Sequence, residues 1–162
     1  MNQSASPYHH GDLRNSAIIA AAELIETTGS YDITIAQVAK KTKVSAPALY
    51  RHFTDKEALL TAVRELTHLG MMDYLAHAQA STEPGTLAHL DALGLAYLRF
   101  AKDKRAFFGL MWEDQGDPEK RRAEARAKRT GFQVLQEAIE LYFDRHRPRH
   151  SRTSLQTATL MW

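Results

Sequence analysis

Apolar residues recur at helical spacing along almost the whole chain. Leu13, Ala17, Ala21, Leu24 and Ile25 repeat every three to four positions, which predicts a helix from about Asp12 to Thr28, stopped by Gly29. Thr34 suits the N-cap of a short helix carrying Ile35, Val38 and Ala39. A tight connection at residues 42–44 follows. Ser45 is then a second N-cap, and Pro47 sits in the first turn of a third helix, where its missing N–H costs nothing. Asp55 caps a fourth helix carrying Leu59, Leu60, Val63, Leu66 and Leu69.

Punctuation at Pro84 and Gly85 breaks the pattern between Ser81 and Gly85. A helix from about Thr86 to Lys102 carries Leu87, Leu90, Leu93, Tyr97 and Phe100, and a short aromatic segment runs from Phe107 to Trp112. One long helix is expected from Asp117 to Arg145, with Ala127, Gly131, Val134, Ala138 and Leu141 facing inward. Residues 145–152, basic and containing Pro148, read as a linker, and residues 154–162 open a further apolar helix. No repeat and no strand-like alternation occurs, so the expected class is all-α. A boundary inside the fourth helix divides a module at 10–62 from a helical domain at 63–162.

Composition narrows the function. Apolar residues are 44% of the 162, enough for a core, and no run reaches the ~18–20 apolar residues of a membrane span. The first eight residues lack the charged and apolar regions of a secretory signal. Cysteine is absent, which removes thiol chemistry and disulfides. The expectation is a cytoplasmic protein with no cofactor. The net charge of +2 says little about partners, but its local distribution says more. Lys40, Lys41, Lys43, Arg51 and Lys56 face only Asp55 within that stretch, a patch able to attract phosphate. A solvated helix face is the alternative reading.

The two short helices around residues 42–44 carry the most information. A helix-turn-helix needs a short helix, a tight turn and a second helix that enters the major groove. Ala46, Pro47 and Ala48 are small enough to let that helix approach base edges, while Leu49 and Phe53 face inward and Tyr50 and Arg51 outward. Thr34 and Ser45 place hydroxyls at helix starts, and Lys56 opens the following helix, all within reach of phosphates.

The strings Thr34-Ile35-Ala36-Gln37-Val38-Ala39, Val44-Ser45, Ala48-Leu49-Tyr50-Arg51-His52-Phe53 and Asp55-Lys56-Glu57-Ala58-Leu59-Leu60 closely resemble the DNA-binding domain of the TetR family of bacterial repressors. The opening Tyr8-His9-His10-Gly11-Asp12-Leu13-Arg14 is similar to the start of one large subgroup. The resemblance implies a three-helix DNA-binding domain joined to a ligand-binding and dimerisation domain. It implies a homodimer on a palindromic double-stranded operator, released by a small-molecule effector. Carried over residue by residue, Thr34, Ser45, Tyr50, His52 and Lys56 correspond to phosphate-contacting positions, and Ala46, Pro47, Ala48 and Arg51 to groove-facing ones. Most family members have a small residue where Pro47 stands, and Pro47 has no N–H to donate. In the similar subgroup a Trp at the place of Trp162 begins a Trp…His-Gly motif. The sequence stops at that Trp, so the expectation is an incomplete C-terminal bundle that dimerises poorly.

Other signals are weaker. His68, Asp73 and His77 share helical spacing that could suggest a metal, but no Cys or Glu cluster joins them, and no metal site is expected. Phe107, Phe108, Met111 and Trp112 are either core or the apolar wall of an effector pocket, with Asp91 and Tyr97 as polar candidates. Lys120 to Arg129, rich in cations, reads as a solvated face rather than a second DNA site. Two other functions remain open: a DNA-binding architectural protein without ligand control, and a small helical metal-dependent enzyme. No spacing supplies the enzyme's nucleophile and base.

Overall fold

The computed structural model describes residues 12–113, 130–149 and 151–161. Every element among them is helical: α1 (Leu13–Thr28), α2 (Ile35–Thr42), α3 (Ala46–Tyr50), α4 (Lys56–Ala80), α5 (Leu87–Asp103), α6 (Arg105–Trp112), α7 (Gly131–His146) and α8 (Ser154–Met161). The protein is all-α. Its described residues divide into two compact units, one ending at Leu66 and the other beginning at Thr67. No helix among them is long and apolar enough to cross a membrane.

In the first unit α1 packs on α2 and α3, and α2 on α3. Ala17, Ala21 and Ile25 form the buried face of α1. The alanines let the short helices come close, and Ile33, Val38, Leu49, Phe53, Leu59 and Val63 fill the interior. Gly29 ends α1 in the left-handed conformation (φ 66), with its N–H on the Ile25 carbonyl.

In the second unit Leu75, Leu93, Ala96, Val134 and Ala138 form a core cluster joining α4, α5 and α7. His89 is buried in α5, its Nδ1 2.9 Å from the Thr82 hydroxyl. Glu140 of α7 accepts hydrogen bonds from Ser154 Oγ at 2.8 Å and Gln136 Nε2 at 3.0 Å, which ties α8 to α7 and holds the Glu140 carboxyl below its ordinary range.

One expected inner position, Leu141, is corrected, and three other periodic leucines also face solvent. Leu66 and Leu69 are exposed. The buried line along α4 instead continues through Thr67, Met71 and Leu75, at the four-residue spacing that keeps one helix face inward. Leu87, the first residue of α5, is exposed, and Leu141 is exposed while its neighbours Ala138 and Ile139 are buried. The expected helix from Asp117 to Arg145 is not continuous to its end. α7 starts at Gly131, because Thr130 is extended (ψ 161) and forms a full capping box with Gln133. Ala127, Asp117 and the run from Lys120 to Arg129 lie outside the described residues, as do Tyr8 to Gly11 and Trp162.

Candidate nucleic-acid interface

The helix-turn-helix is assembled from local signals. Thr34 caps α2 reciprocally: the Gln37 N–H donates to Thr34 Oγ1 (3.2 Å) and the Thr34 N–H donates to Gln37 Oε1 (2.7 Å). The hydroxyl of Thr34 is therefore part of the helix start as well as a solvent-exposed group.

At the other end of α2, Lys43 adopts the left-handed conformation (φ 58, ψ 36). Its N–H reaches the Lys40 carbonyl at 3.3 Å, and the Val44 N–H reaches the Ala39 carbonyl at 3.0 Å. These two bonds form a Schellman closure, in which a glycine usually occupies the left-handed position. Here a lysine takes it, at the steric cost of a Cβ in that region. The buried hydroxyl of Thr42 donates to the Val38 carbonyl at 2.9 Å and so needs no external partner. Thr42, expected in the connection, is the last residue of α2.

The turn delivers the chain into α3, five residues long. Ser45 occupies its N-cap with extended backbone, but its side chain makes no capping bond. Expected as a cap, Ser45 caps by backbone shape alone; the Ala48 N–H is taken by the Ser45 carbonyl at 3.0 Å. Pro47 lies in the first turn. Two side chains pin α3: Leu49, fully buried, and Phe53 just beyond it. The Arg14 guanidinium lies 5.6 Å from the centre of the Phe53 ring, a contact between α1 and the end of the motif. With these anchors inward, Ser45, Pro47, Tyr50, Arg51 and His52 are exposed and Ala46 and Ala48 half-buried.

Asp55 opens α4, its Oδ1 accepting from the Ala58 N–H at 2.7 Å. Lys56 follows. Its ammonium donates to Asp32 Oδ1 at 2.8 Å, and that bond together with the lysine's charge holds the Asp32 carboxyl below its ordinary range. Sequence spacing brought Lys56 forward but not Asp32, which lies 24 residues away. Lys41 pairs with Glu23 of α1 at 3.0 Å. Lys40, Lys43 and Arg51 have no ion-pair partner among the described residues.

In the second unit three of the candidates, Tyr97, Phe108 and Trp112, come together. The Tyr97 and Phe108 rings stand edge to face at 5.5 Å, and Phe108 lies 6.2 Å from Trp112. Burial pushes the Tyr97 hydroxyl up in pKa, against an opposing hydrogen bond with Trp112. Phe107 and Met111 are half-buried, Trp112 is exposed, and Asp91 is exposed on α5. An open groove of about 480 Å³ lies elsewhere, between α4 and α5, lined by Tyr74, His77, Leu95 and Arg99 among others. The His77 Nδ1 donates to the Asp73 carbonyl at 2.8 Å. Among the described residues no three His, Cys, Asp or Glu side chains converge on a possible metal position.

Comparison with known proteins agrees with this geometry. Residues 18–63 match the family of bacterial regulatory proteins, tetR family. A tetracycline repressor protein class G from Vibrio anguillarum is 40% identical over 52 residues, which cover 32% of this chain and 25% of the relative. The likeness to that repressor thus spans about a quarter of its length. A protein of unknown function from Rhodococcus sp. RHA1 superposes with a TM-score of 0.77 at 25% identity, covering 96% of this chain and 80% of its own. The TetR family transcriptional regulator PfmR from Thermus thermophilus superposes at 0.61 with 23% identity, covering 89% and 80%. The helix-turn-helix segment, residues 18–63, is thus similar to the DNA-binding domain of the bacterial regulatory proteins of the tetR family.

Proposed function

We propose that the protein is a sequence-specific transcriptional repressor, a cytoplasmic homodimer that leaves its palindromic operator when a small molecule binds the second unit. One observation carries the DNA-binding part: a five-residue α3 pinned by Leu49 and Phe53, with Pro47, Tyr50 and Arg51 turned to solvent. A helix so short and so held can enter a groove without rearranging. Ala46, Pro47, Ala48 and Arg51 face the bases in this reading, and Thr34, Ser45, Tyr50, His52 and Lys56 face phosphates. The exposed apolar residues Leu155, Leu160 and Met161 of α8 support a partner subunit. The adjoining rings of Tyr97, Phe108 and Trp112 support an apolar effector, with Phe107 and Met111 of α6 as further wall residues in this reading. The regulator reading involves no catalysis.

The test is selection of binding sites from random duplexes, followed by footprinting. The expected product is a palindrome with half-sites one helical turn apart, roughly 34–36 Å. Arg51→Ala relaxes one or two positions of each half-site, by about 1–3 kcal/mol of discrimination. Lys56→Ala weakens binding to all duplexes alike. Selection of no motif, with all duplexes bound equally, favours an architectural protein instead.

A further inference from the structure

We propose that Asp32 is an internal stand-in for a DNA phosphate: it holds Lys56 in the free protein and competes with the phosphate for that lysine, so limiting affinity for any duplex. The inference rests on the reading of Lys56 as a phosphate contact.

The Asp32 side chain is 88% exposed and that of Lys56 42% exposed, yet the ammonium and the carboxylate are 2.8 Å apart. An exposed pair of this kind contributes little to folding, since water and salt screen it. Nor does Asp32 cap a helix: the start of α2 is already satisfied by Thr34 and Gln37. The loop is instead shaped to present the carboxylate. The Ser30 hydroxyl accepts from the Asp32 N–H at 3.1 Å, and the Ile33 N–H donates to the Tyr31 carbonyl at 2.9 Å. Asp32 also lies two residues before Thr34, another proposed phosphate contact.

A carboxylate oxygen and a phosphate oxygen make the same charge-assisted bond to an ammonium. Docking on DNA therefore exchanges one anionic oxygen for another and leaves Asp32 uncompensated beside the duplex. Lys41 behaves differently, because its partner Glu23 belongs to α1, outside the proposed phosphate rim.

The test measures fluorescence anisotropy of a labelled random-sequence duplex with the full chain, from about 50 to 200 mM salt. Asp32→Asn is expected to tighten binding about three- to tenfold and to steepen the plot of log affinity against log salt by about 1 per bound chain. Asp32→Glu keeps the wild-type values, since it retains the carboxylate. In a Lys56→Ala background the gain from Asp32→Asn disappears. Unchanged or weaker binding by a normally folded Asp32→Asn variant overturns the proposal, and so does a gain that persists without Lys56, which would make Asp32 a general repulsive charge. A wild-type chain that binds no duplex even at the lowest salt overturns the DNA-binding reading itself, and this proposal with it.

Discussion

Two glycines, one in each unit, have almost the same φ and opposite surroundings. Gly29 ends α1 at φ 66, and a Cβ added there would meet nothing within 4 Å. Gly85 opens the way to α5 at φ 72, and a Cβ there would stand 2.9 Å from the Leu141 carbonyl oxygen of α7. The first glycine is needed for a turn, the second for a turn and a close approach between distant segments. The same contrast runs through both units. The helix-turn-helix unit closes its turns with residues three to five apart: Thr34 with Gln37, Val44 with Ala39, Asp55 with Ala58. In the second unit the loop before α5 is also held from far along the chain, where the Arg145 guanidinium reaches Glu83 Oε1 at 2.6 Å and the Pro84 carbonyl at 3.3 Å.

The contrast can be broken at several points. The largest effect is expected at Leu49, because the five-residue α3 owes its position to tertiary anchors rather than to helix propensity. Leu49→Ala should destabilise the first unit by about 3–4 kcal/mol in urea unfolding, with DNA binding lost in parallel. A cost under about 1 kcal/mol would mean that the local caps alone hold the motif.

Gly85→Ala comes next, at about 2–4 kcal/mol, from overpacking against an α7 carbonyl added to left-handed strain. Its effect should appear in the second unit by hydrogen exchange of α5 and α7, with α2 and α3 unaffected. Gly29→Ala should cost only about 1 kcal/mol, since strain acts there without a clash. Equal costs for the two substitutions would erase the distinction drawn above.

The smallest effect is at Lys43, where the left-handed conformation is met by a residue with a Cβ. Lys43→Gly should stabilise the first unit by about 0.5 kcal/mol, through relief of strain partly offset by chain entropy. Loss of a cation from the basic patch should lower duplex affinity at the same time. Thermal unfolding and DNA titration of one variant would thus move in opposite directions, which separates folding from binding at this turn.

The sequence by itself determined most of the first unit, because its information is local. A capping threonine, a stop glycine and an apolar repeat act within one or two turns, so the starts of α1, α2 and α4 could be read directly. The family strings lie in the same stretch. Where the burial of a residue depends on what lies opposite, spacing could not decide. Leu66, Leu69, Leu87 and Leu141 are as apolar as their buried neighbours, and only packing directions separate them. The start of α7 at Gly131 was missed for a related reason: helix-forming residues on both sides in the sequence hid a capping box that a Thr and a Gln three positions later could have signalled. Asp32 was invisible because its partner lies 24 residues away, and no periodicity links a loop to the start of a later helix. Tertiary structure likewise decided that Gly85 must be a glycine twice over, since the Leu141 carbonyl that excludes a side chain there belongs to a helix far along the chain.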